Sequence, residues 1–368
     1  MLKNKIDKEK HLTICLVIPS LQAGGMERVM NELAAFFSRE TGVDTHLVLY
    51  GKERNIFYDL PGNVKVHKPE WPFDNRRRMW STIRTLLFLR RKIKTIQPDS
   101  ILSFGEYWNS FVLLSLLGLK FPVYISDRCS PHEGLGHLHE FLRKILYPGA
   151  AGIIAQTSKA KQIYTDKKLN NNIRVIGNPI RQILKRDSNK SRENIVLSVG
   201  RLIDTKHHDR LIDIFQKANP GGWKLVIVGG NAIKQDGMNR LKNIIKQKGL
   251  QDQVVLPGTV SNVEEYYLKS KIFAFTSSSE GFPNVVGEAM SAGLPVISYD
   301  CVAGPSEMIE NEKTGYLLEL FDDETFKERL EHLMNDEELR ESMGSLSIER
   351  VKRFSANYIG EKFYEFIT

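Results

Sequence analysis

The sequence predicts an α/β protein of two doubly wound domains, each a parallel sheet covered by helices on both faces. Three observations predict it. Short apolar strands alternate with helical patterns along nearly the whole chain, as parallel sheets covered on both sides require. The pattern passes through a polar stretch and then restarts. Each half opens on a strand, a glycine-containing turn and a helix. The 368 residues suit two domains of roughly 150 to 200 residues, and 41% apolar with 26% charged residues is a globular composition.

In order, the first strand is TICLVIPSL (13–21), followed by the turn AGG (23–25) and the helix MERVMNELAAFFSRE, with Val29, Leu33, Phe36 and Phe37 on one face. THLVLYG (45–51) is a second strand. DSILSF (99–104), VYISD (123–127), GIIAQT (152–157) and IRVIGNP (173–179) are buried strands, and FVLLSLLGL (111–119) is a core helix. The polar run ILKRDSNKSREN (183–194) reads as a linker. After it come the strand NIVLSVG, the loop RLIDTKHH and the helix DRLIDIFQKA. KLVIVGG (224–230), VVLPG (254–258), IFAFTS (272–277) and LPVISYD (294–300) supply further strands. The expected domains are 1–185 and 186–354. Open parallel sheets bind ligands at the carboxyl ends of their strands, so the gap between the two domains is the expected site.

Composition excludes several classes. Cys15, Cys129 and Cys301 are odd in number and far apart, with no CxxC; this disfavours a disulfide framework or a structural zinc site and suits a reducing, cytoplasmic setting. The start MLKNKIDKEK lacks the apolar core of a signal peptide. No apolar run reaches the roughly 18 residues of a spanning helix. The net charge of +8 is uneven: residues 1–190 hold 31 Lys/Arg against 17 Asp/Glu, and the remainder 21 against 27. A chain divided this way has one half suited to an anionic partner.

The stretch SEGFPNVVGEAM joins a strand to a helix that starts near Asn284. Free N–H groups and the positive end of the dipole favour a diphosphate there. Glu288, about one turn in, repels phosphate but accepts hydrogen bonds from a ribose diol. Glu280, before the turn, serves hydroxyls of a sugar beyond the phosphates. One nucleotide sugar accounts for both acids and the turn; the alternative is two glutamates that only complement the helix dipole.

EGFPNVVGEAM followed by SAGLPVI resembles the E-x7-E region of retaining glycosyltransferases of the GT-B fold, the large fourth sequence family, in its bacterial polysaccharide and lipid-linked oligosaccharide branch. GGMER (24–28) resembles its first glycine loop and SVGRLIDTKH (198–207) its G-R-L-x-x-x-K segment. LVIVGG, VVLPGTVSNVEEYY, GPSEMI (304–309) and TGYLL (314–318) follow in the family's order. FSANYIGEKFYEFI resembles a terminal helix, 355–368 here, that crosses back to the first domain. The resemblance implies two Rossmann-like domains facing a central cleft. It implies that Arg201 and Lys206 hold the donor diphosphate, that Glu280 orients the transferred sugar and that Glu288 holds ribose. Gly25, Gly200, Gly281, Phe282, Pro283, Asn284 and Val285 complete the implied donor site, with Gly25 letting backbone approach the phosphates and sugar. Two cations and a helix start stabilise a leaving diphosphate without metal. A DxD triplet is absent, and Asp322-Asp323-Glu324 reads as a helix cap. No metal or other cofactor is expected.

SDRCSP (126–131) resembles the family's S-E-R-x-x-P signature, with Asp127 in place of glutamate. Arg128 stands where other branches place a histidine near the transferred sugar, which puts it among the catalytic candidates; a surface-turn ion pair is the alternative. His132, His137 and His139 match no zinc spacing and read as loop residues, while His207 and His208 read as serving the donor loop.

The segment 71–97 is the most basic. Asn75 to Gln97 holds eight Lys/Arg and no acid; Arg77, Arg84 and Arg91 recur every seven residues, with Lys94 beyond, and Trp80, Ile83, Leu87 and Phe88 add apolar surface. Such a helix suits an anionic membrane or the pyrophosphate of a lipid carrier; a solvated face on a core helix is the alternative. No nucleic-acid module is recognisable. The expectation is a cytoplasmic enzyme, peripheral on the inner membrane face. It would transfer a hexose or N-acetylhexosamine from a UDP-sugar to a hydroxyl of a lipid-linked or surface-polysaccharide glycan, with retention. Rival readings are a GT-B nucleotide-sugar epimerase or hydrolase, and a non-catalytic basic binding protein associated with membrane or nucleic acid. Neither glycine turn gives GxGxxG, against a dehydrogenase.

Overall fold

The computed structural model describes residues 11–132, 134–183, 191–218, 221–232 and 235–368. The chain divides into two compact units, Met1–Pro179 with Ala356–Thr368, and Ile180–Ser355. Much of the polar run expected as a linker, 184–190, lies outside the described residues.

In the first unit a seven-stranded sheet is formed by Leu12–Ile18 (β1), Val43–Leu49 (β2), Lys65–His67 (β3), Ser100–Phe104 (β4), Val123–Ser126 (β5), Gly152–Ala155 (β6) and Ile173–Val175 (β7). Its order is β3-β2-β1-β4-β5-β6-β7, and every pairing is parallel. β1 and β4 are buried on both faces, which is why they read as continuous apolar runs rather than alternating ones. The helices are Gly25–Phe37 (α1), Arg78–Ile96 (α2), Glu106–Ser115 (α3), His137–Leu146 (α4) and Ser158–Asp166 (α5). α1 buries Val29, Met30, Leu33, Phe36 and Phe37 on one stripe. The terminal helix, which closes the chain at Ala356–Ile367, packs on it. Gly360 sits so close to the Phe36 ring that a Cβ there would fall 2.4 Å from it, and Phe363 and Tyr364 meet the rings of Phe104 and Phe37.

The second unit holds Ile195–Val199 (β8), Lys224–Val228 (β9), Val254–Gly258 (β10), Ile272–Phe275 (β11), Val296–Tyr299 (β12) and Gly315–Leu318 (β13). Their order, β10-β9-β8-β11-β12-β13, is again parallel throughout. The helices are His208–Ala218 (α6), Gly237–Gln247 (α7), Glu264–Lys269 (α8), Asn284–Ser291 (α9), Pro305–Met308 (α10), Asp323–Asn335 (α11) and Glu337–Val351 (α12), the terminal helix being α13. One apolar cluster runs from Leu211 and Phe215 through Ile227 and Ile297 to Phe326 and Leu330. In each sheet the order reverses once, between β1 and β4 and between β8 and β11. Crevices at such reversals take ligands because neighbouring loops diverge there.

Candidate active site

In the second unit the crevice between β8 and β11 gathers most of the expected donor residues. Past β8 the chain turns at Gly200, whose N–H donates to the Val228 carbonyl at 2.9 Å, and Leu202 N donates to Gly230 O at 2.9 Å. Gly229 makes this approach feasible: at φ 156° a Cβ would lie 1.8 Å from the Gly200 carbonyl oxygen. Arg201 stands exposed on this loop. A 3-10 turn, Asp204–Lys206, follows, and His207 adopts the left-handed conformation at φ 50°.

The turn is latched to the loop after β11. Thr276 Oγ1 donates to the Lys206 carbonyl at 2.8 Å, Ser278 N donates to the Thr205 carbonyl at 2.9 Å, and His207 Nε2 lies 2.8 Å from Ser278 Oγ. The latch brings Lys206 Nζ into an ion pair with Glu280, 5.2 Å above the Phe275 ring. Behind it His208 is buried, and burial, reinforced by the Lys206 charge, pulls its imidazole down to about 4. It is therefore neutral at neutral pH and adds no charge beside Lys206. Cys301 is buried too; burial, with the Glu280 charge second, pushes its thiol up to about 12, so it is no thiolate nucleophile.

Beyond Glu280, Gly281 leads to Phe282, which meets Phe354 edge-on at 5.7 Å, and to Pro283, which caps α9. Gly304 (φ 130°) presses on Pro283: a Cβ there would lie 2.0 Å from its Cδ. Only glycine lets the starts of α9 and α10 meet. Asn284 and Val285 form the first turn of α9, and Glu288 follows, buried. Tyr267 Oη donates to Glu288 Oε2 at 3.1 Å. Sequence reading missed Tyr267, Gly229 and Gly304. The two glycines stood in quoted motifs, LVIVGG and GPSEMI. Tyr267 carries no local signal, because its role arises only when α8 packs beside α9.

Asp322-Asp323-Glu324 contributes a helix cap, as its sequence reads: Asp322 accepts from Thr325 N at 3.1 Å at the head of α11. Asp323 pairs with Arg210 at 2.5 Å. Among the described residues no group of three or more His, Cys, Asp or Glu is placed to hold a metal ion.

In the first unit Gly25 opens α1. The preceding Gly24 is held by Tyr58, whose hydroxyl donates to its carbonyl at 2.8 Å. Glu27, in the first turn of α1, fills the space a Gly24 Cβ would need, and burial raises its carboxyl. Arg128 follows β5. Its guanidinium lies 3.5 Å over the Phe104 ring and donates to Asn178 Oδ1 at 2.7 Å. Burial pulls it down to about 9, and its Nε and second terminal nitrogen are buried without a partner among the described residues. Asp127 corrects the surface-turn alternative: it points inward and is caged by Arg143 at 2.6 Å, Tyr147 Oη at 2.7 Å and Asn109 Nδ2 at 2.9 Å.

On α2 the buried face is Ser81, Thr85, Leu89 and Ile93, so Trp80, Ile83 and Leu87 are exposed. Arg77, Arg84, Arg91 and Lys94 are exposed as well. Arg84 stacks on Trp71 at 4.4 Å and, with Lys68, Arg91 and Lys92, lines a groove of about 400 Å³; Arg77 and Lys94 lie outside it. His139 meets the Tyr107 ring edge-on.

The β8/β11 crevice of the second unit thus carries an acid–cation pair beside a helix start. The chain matches the family "Glycosyltransferase Family 4" over residues 23–181 and "Glycosyl transferases group 1" over residues 180–350. It belongs to the GT-B glycosyltransferases of the family-4 type. It is 28% identical to the amylovoran biosynthesis glycosyltransferase AmsD of Erwinia amylovora, covering 94% of this chain and 96% of that one. It is also 28% identical to a Campylobacter jejuni α-1,4-N-acetyl-D-galactosaminyltransferase named for a diphospho-undecaprenol-linked acceptor, covering 97% and 98%. Among solved structures its fold is similar to Anabaena HepE in complex with UDP (TM-score 0.81, 16% identity, 96% and 99% covered). The lipopolysaccharide outer core galactosyltransferase WaaB is similar too (0.78, 20%, 97% and 99%). The expected α/β GT-B fold is thus the observed one. Among the described residues no helix is long and apolar enough to cross a membrane.

Proposed function

We propose that this glycosyltransferase moves a hexose or N-acetylhexosamine from a UDP-sugar to a hydroxyl of a lipid-linked or surface-polysaccharide glycan, with retention and without a metal ion. The observation that carries this is the Lys206–Glu280 pair at the β8/β11 crevice, with Arg201 on the same loop and buried Glu288 one turn into α9. In this reading the donor diphosphate competes with Glu280 for Lys206 and draws Arg201 in. Glu280, released, accepts hydrogen bonds from the sugar, and Glu288 accepts from ribose. The anomeric carbon–oxygen bond breaks toward the diphosphate as the acceptor oxygen attacks from the same face, and the departing diphosphate oxygen takes the acceptor proton. Charge grows on the diphosphate, where fixed cations are worth most. Arg128 is a candidate cation of the first unit alone, stacked on the Phe104 ring and bonded to Asn178.

The UDP complex of a structural neighbour and the lipid-linked acceptor in the name of a relative support UDP and a lipid-linked glycan. The exposed cations of α2 support an anionic carrier or membrane surface, and so a cytoplasmic, peripheral enzyme. The absence of DxD, with Asp322 and Asp323 engaged on α11, supports metal-independent transfer. The test is a nucleotide-sugar screen by thermal shift, then turnover on diphosphate-linked lipid acceptors with and without chelator, with the product anomer read by NMR. Transfer that survives chelation is expected. Loss of activity on chelation sinks the metal-free scheme, and release of free sugar alone favours the hydrolase.

A further inference from the structure

The first unit contains a cavity of about 500 Å³, within the range of ligand pockets. α2, α3, α4 and the turn after β2 enclose it. Its wall is aromatic and aliphatic: Tyr50, Phe73, Trp108, Phe111, Leu114 and Leu142. Its charged lining is cationic only, Lys52 and Arg78, with no Asp or Glu. We propose that this cavity takes the hydrocarbon of a lipid phosphate, with the phosphate at Lys52 and Arg78. The proposal deepens the function above and rests on it for the lipid-linked acceptor.

Two further observations support it. First, Arg76, Arg77 and Arg78 stand together at the start of α2, whose first turn carries no acid. Cations at the positive end of a helix dipole cost stability, and an anion bound there relieves that cost. Second, α4 presents Leu138, Phe141 and Ile145 to solvent, 67%, 60% and 57% exposed, at helical spacing. The same helix contributes His139 and Leu142 to the cavity. An exposed apolar stripe beside an apolar cavity suits a lipid surface that feeds its chain into the protein.

The test is Trp108 fluorescence and calorimetry on the full chain, titrated in parallel with farnesyl phosphate, farnesol, inorganic pyrophosphate and a methyl N-acetylhexosaminide. Saturable quenching by farnesyl phosphate is expected, and its loss in Trp108→Phe. Thr82→Phe, which fills the cavity from α2, is expected to weaken farnesyl phosphate on the order of ten-fold. Arg78→Ala should weaken farnesyl phosphate about five-fold and leave farnesol unchanged. A UDP-induced rise in melting temperature certifies that each variant is folded. The proposal is overturned if pyrophosphate binds as tightly as farnesyl phosphate, if the sugar alone quenches Trp108, or if nothing saturates. Transfer from UDP-sugar to a water-soluble glycan without farnesyl phosphate binding would sink the cavity and keep the enzyme. Farnesyl phosphate binding without any transfer would do the reverse.

Discussion

Two of the acid–cation pairs among the described residues, one in each unit, differ in how completely they are enclosed. In the first unit Asp127 and Arg143 are each 4% exposed, and Asp127 also accepts from Tyr147 and Asn109. In the second unit Lys206 and Glu280 are 15% and 13% exposed, and Lys206 also lies over the face of Phe275. Removing one member of a caged pair leaves an uncompensated buried charge. A pair held by one contact at a strand-end crevice can exchange its partner for substrate. Closeness alone separates neither; the number of remaining partners does.

The largest expected effect breaks the caged pair. Asp127→Ala leaves Arg143 buried without its main counter-charge and should cost about 3–5 kcal/mol, read as a lowered thermal midpoint. Lys206→Ala and Glu280→Gln should instead lower turnover about 10²–10³-fold while costing less stability than Asp127→Ala. If Lys206→Ala unfolds the protein as Asp127→Ala does, the contrast fails and the pair is scaffold.

Burial of His208 behind Lys206 sharpens the comparison through pH. Its folded value, about 4, lies below the ordinary 6.5, so between these limits the unfolded chain takes a proton that the folded chain refuses. Stability is then greatest above about pH 6.5, falls as pH drops toward 4, and stays level below. At about 1.4 kcal/mol per pH unit the loss approaches about 3 kcal/mol. His67 carries a shift of the same sign, so the measurement is the difference in melting temperature between wild type and His208→Leu from pH 4.5 to 7. A flat difference would show that His208 is not held neutral.

The doubly wound architecture was legible because buried parallel strands are mostly apolar, and β1, β4, β8, β9 and β11 carry apolar runs broken only by Thr13, Ser100, Ser103, Ser198 and Lys224. β3 and β13 were not read as strands. Lys65–His67 is short and half-exposed, and Gly315–Leu318 begins on a glycine, so neither carries a periodic signal. At the site, Glu280 and Glu288 stood out because acids beside a helix start ask for an explanation. The latch formed by Thr276, Ser278 and His207 did not, since it depends on two loops about 70 residues apart that only the β8/β11 pairing joins. The Asp127 cage was hidden for the same reason: its partners come from α3, α4 and the turn after α4. Contacts within one strand–turn–helix unit are written locally, and contacts between such units are written only in the topology.

The smallest expected effect tests the third acid. Glu288 is as buried as a caged residue, yet the proposed function asks it to receive ribose. Tyr267 Oη is its hydroxyl donor at 3.1 Å, and the ring, fully buried beside Phe273, remains in place when the hydroxyl is removed. Tyr267→Phe therefore removes the hydroxyl's bond to Glu288 and its longer one, 3.5 Å, to the Val285 carbonyl, a change of about 0.5–1.5 kcal/mol. If the hydroxyl aims Glu288 at ribose, the affinity for UDP should weaken by about two- to ten-fold, with kcat at saturating donor nearly unchanged, because ribose is bound equally before and during sugar transfer. Calorimetry with UDP and with uridine reads this directly, since both carry the diol and only one carries phosphate. Equal weakening for both ligands places Tyr267 and Glu288 at ribose. Weakening of UDP alone would move them to the diphosphate, and an unchanged affinity for both would make Glu288 a second enclosed acid like Asp127.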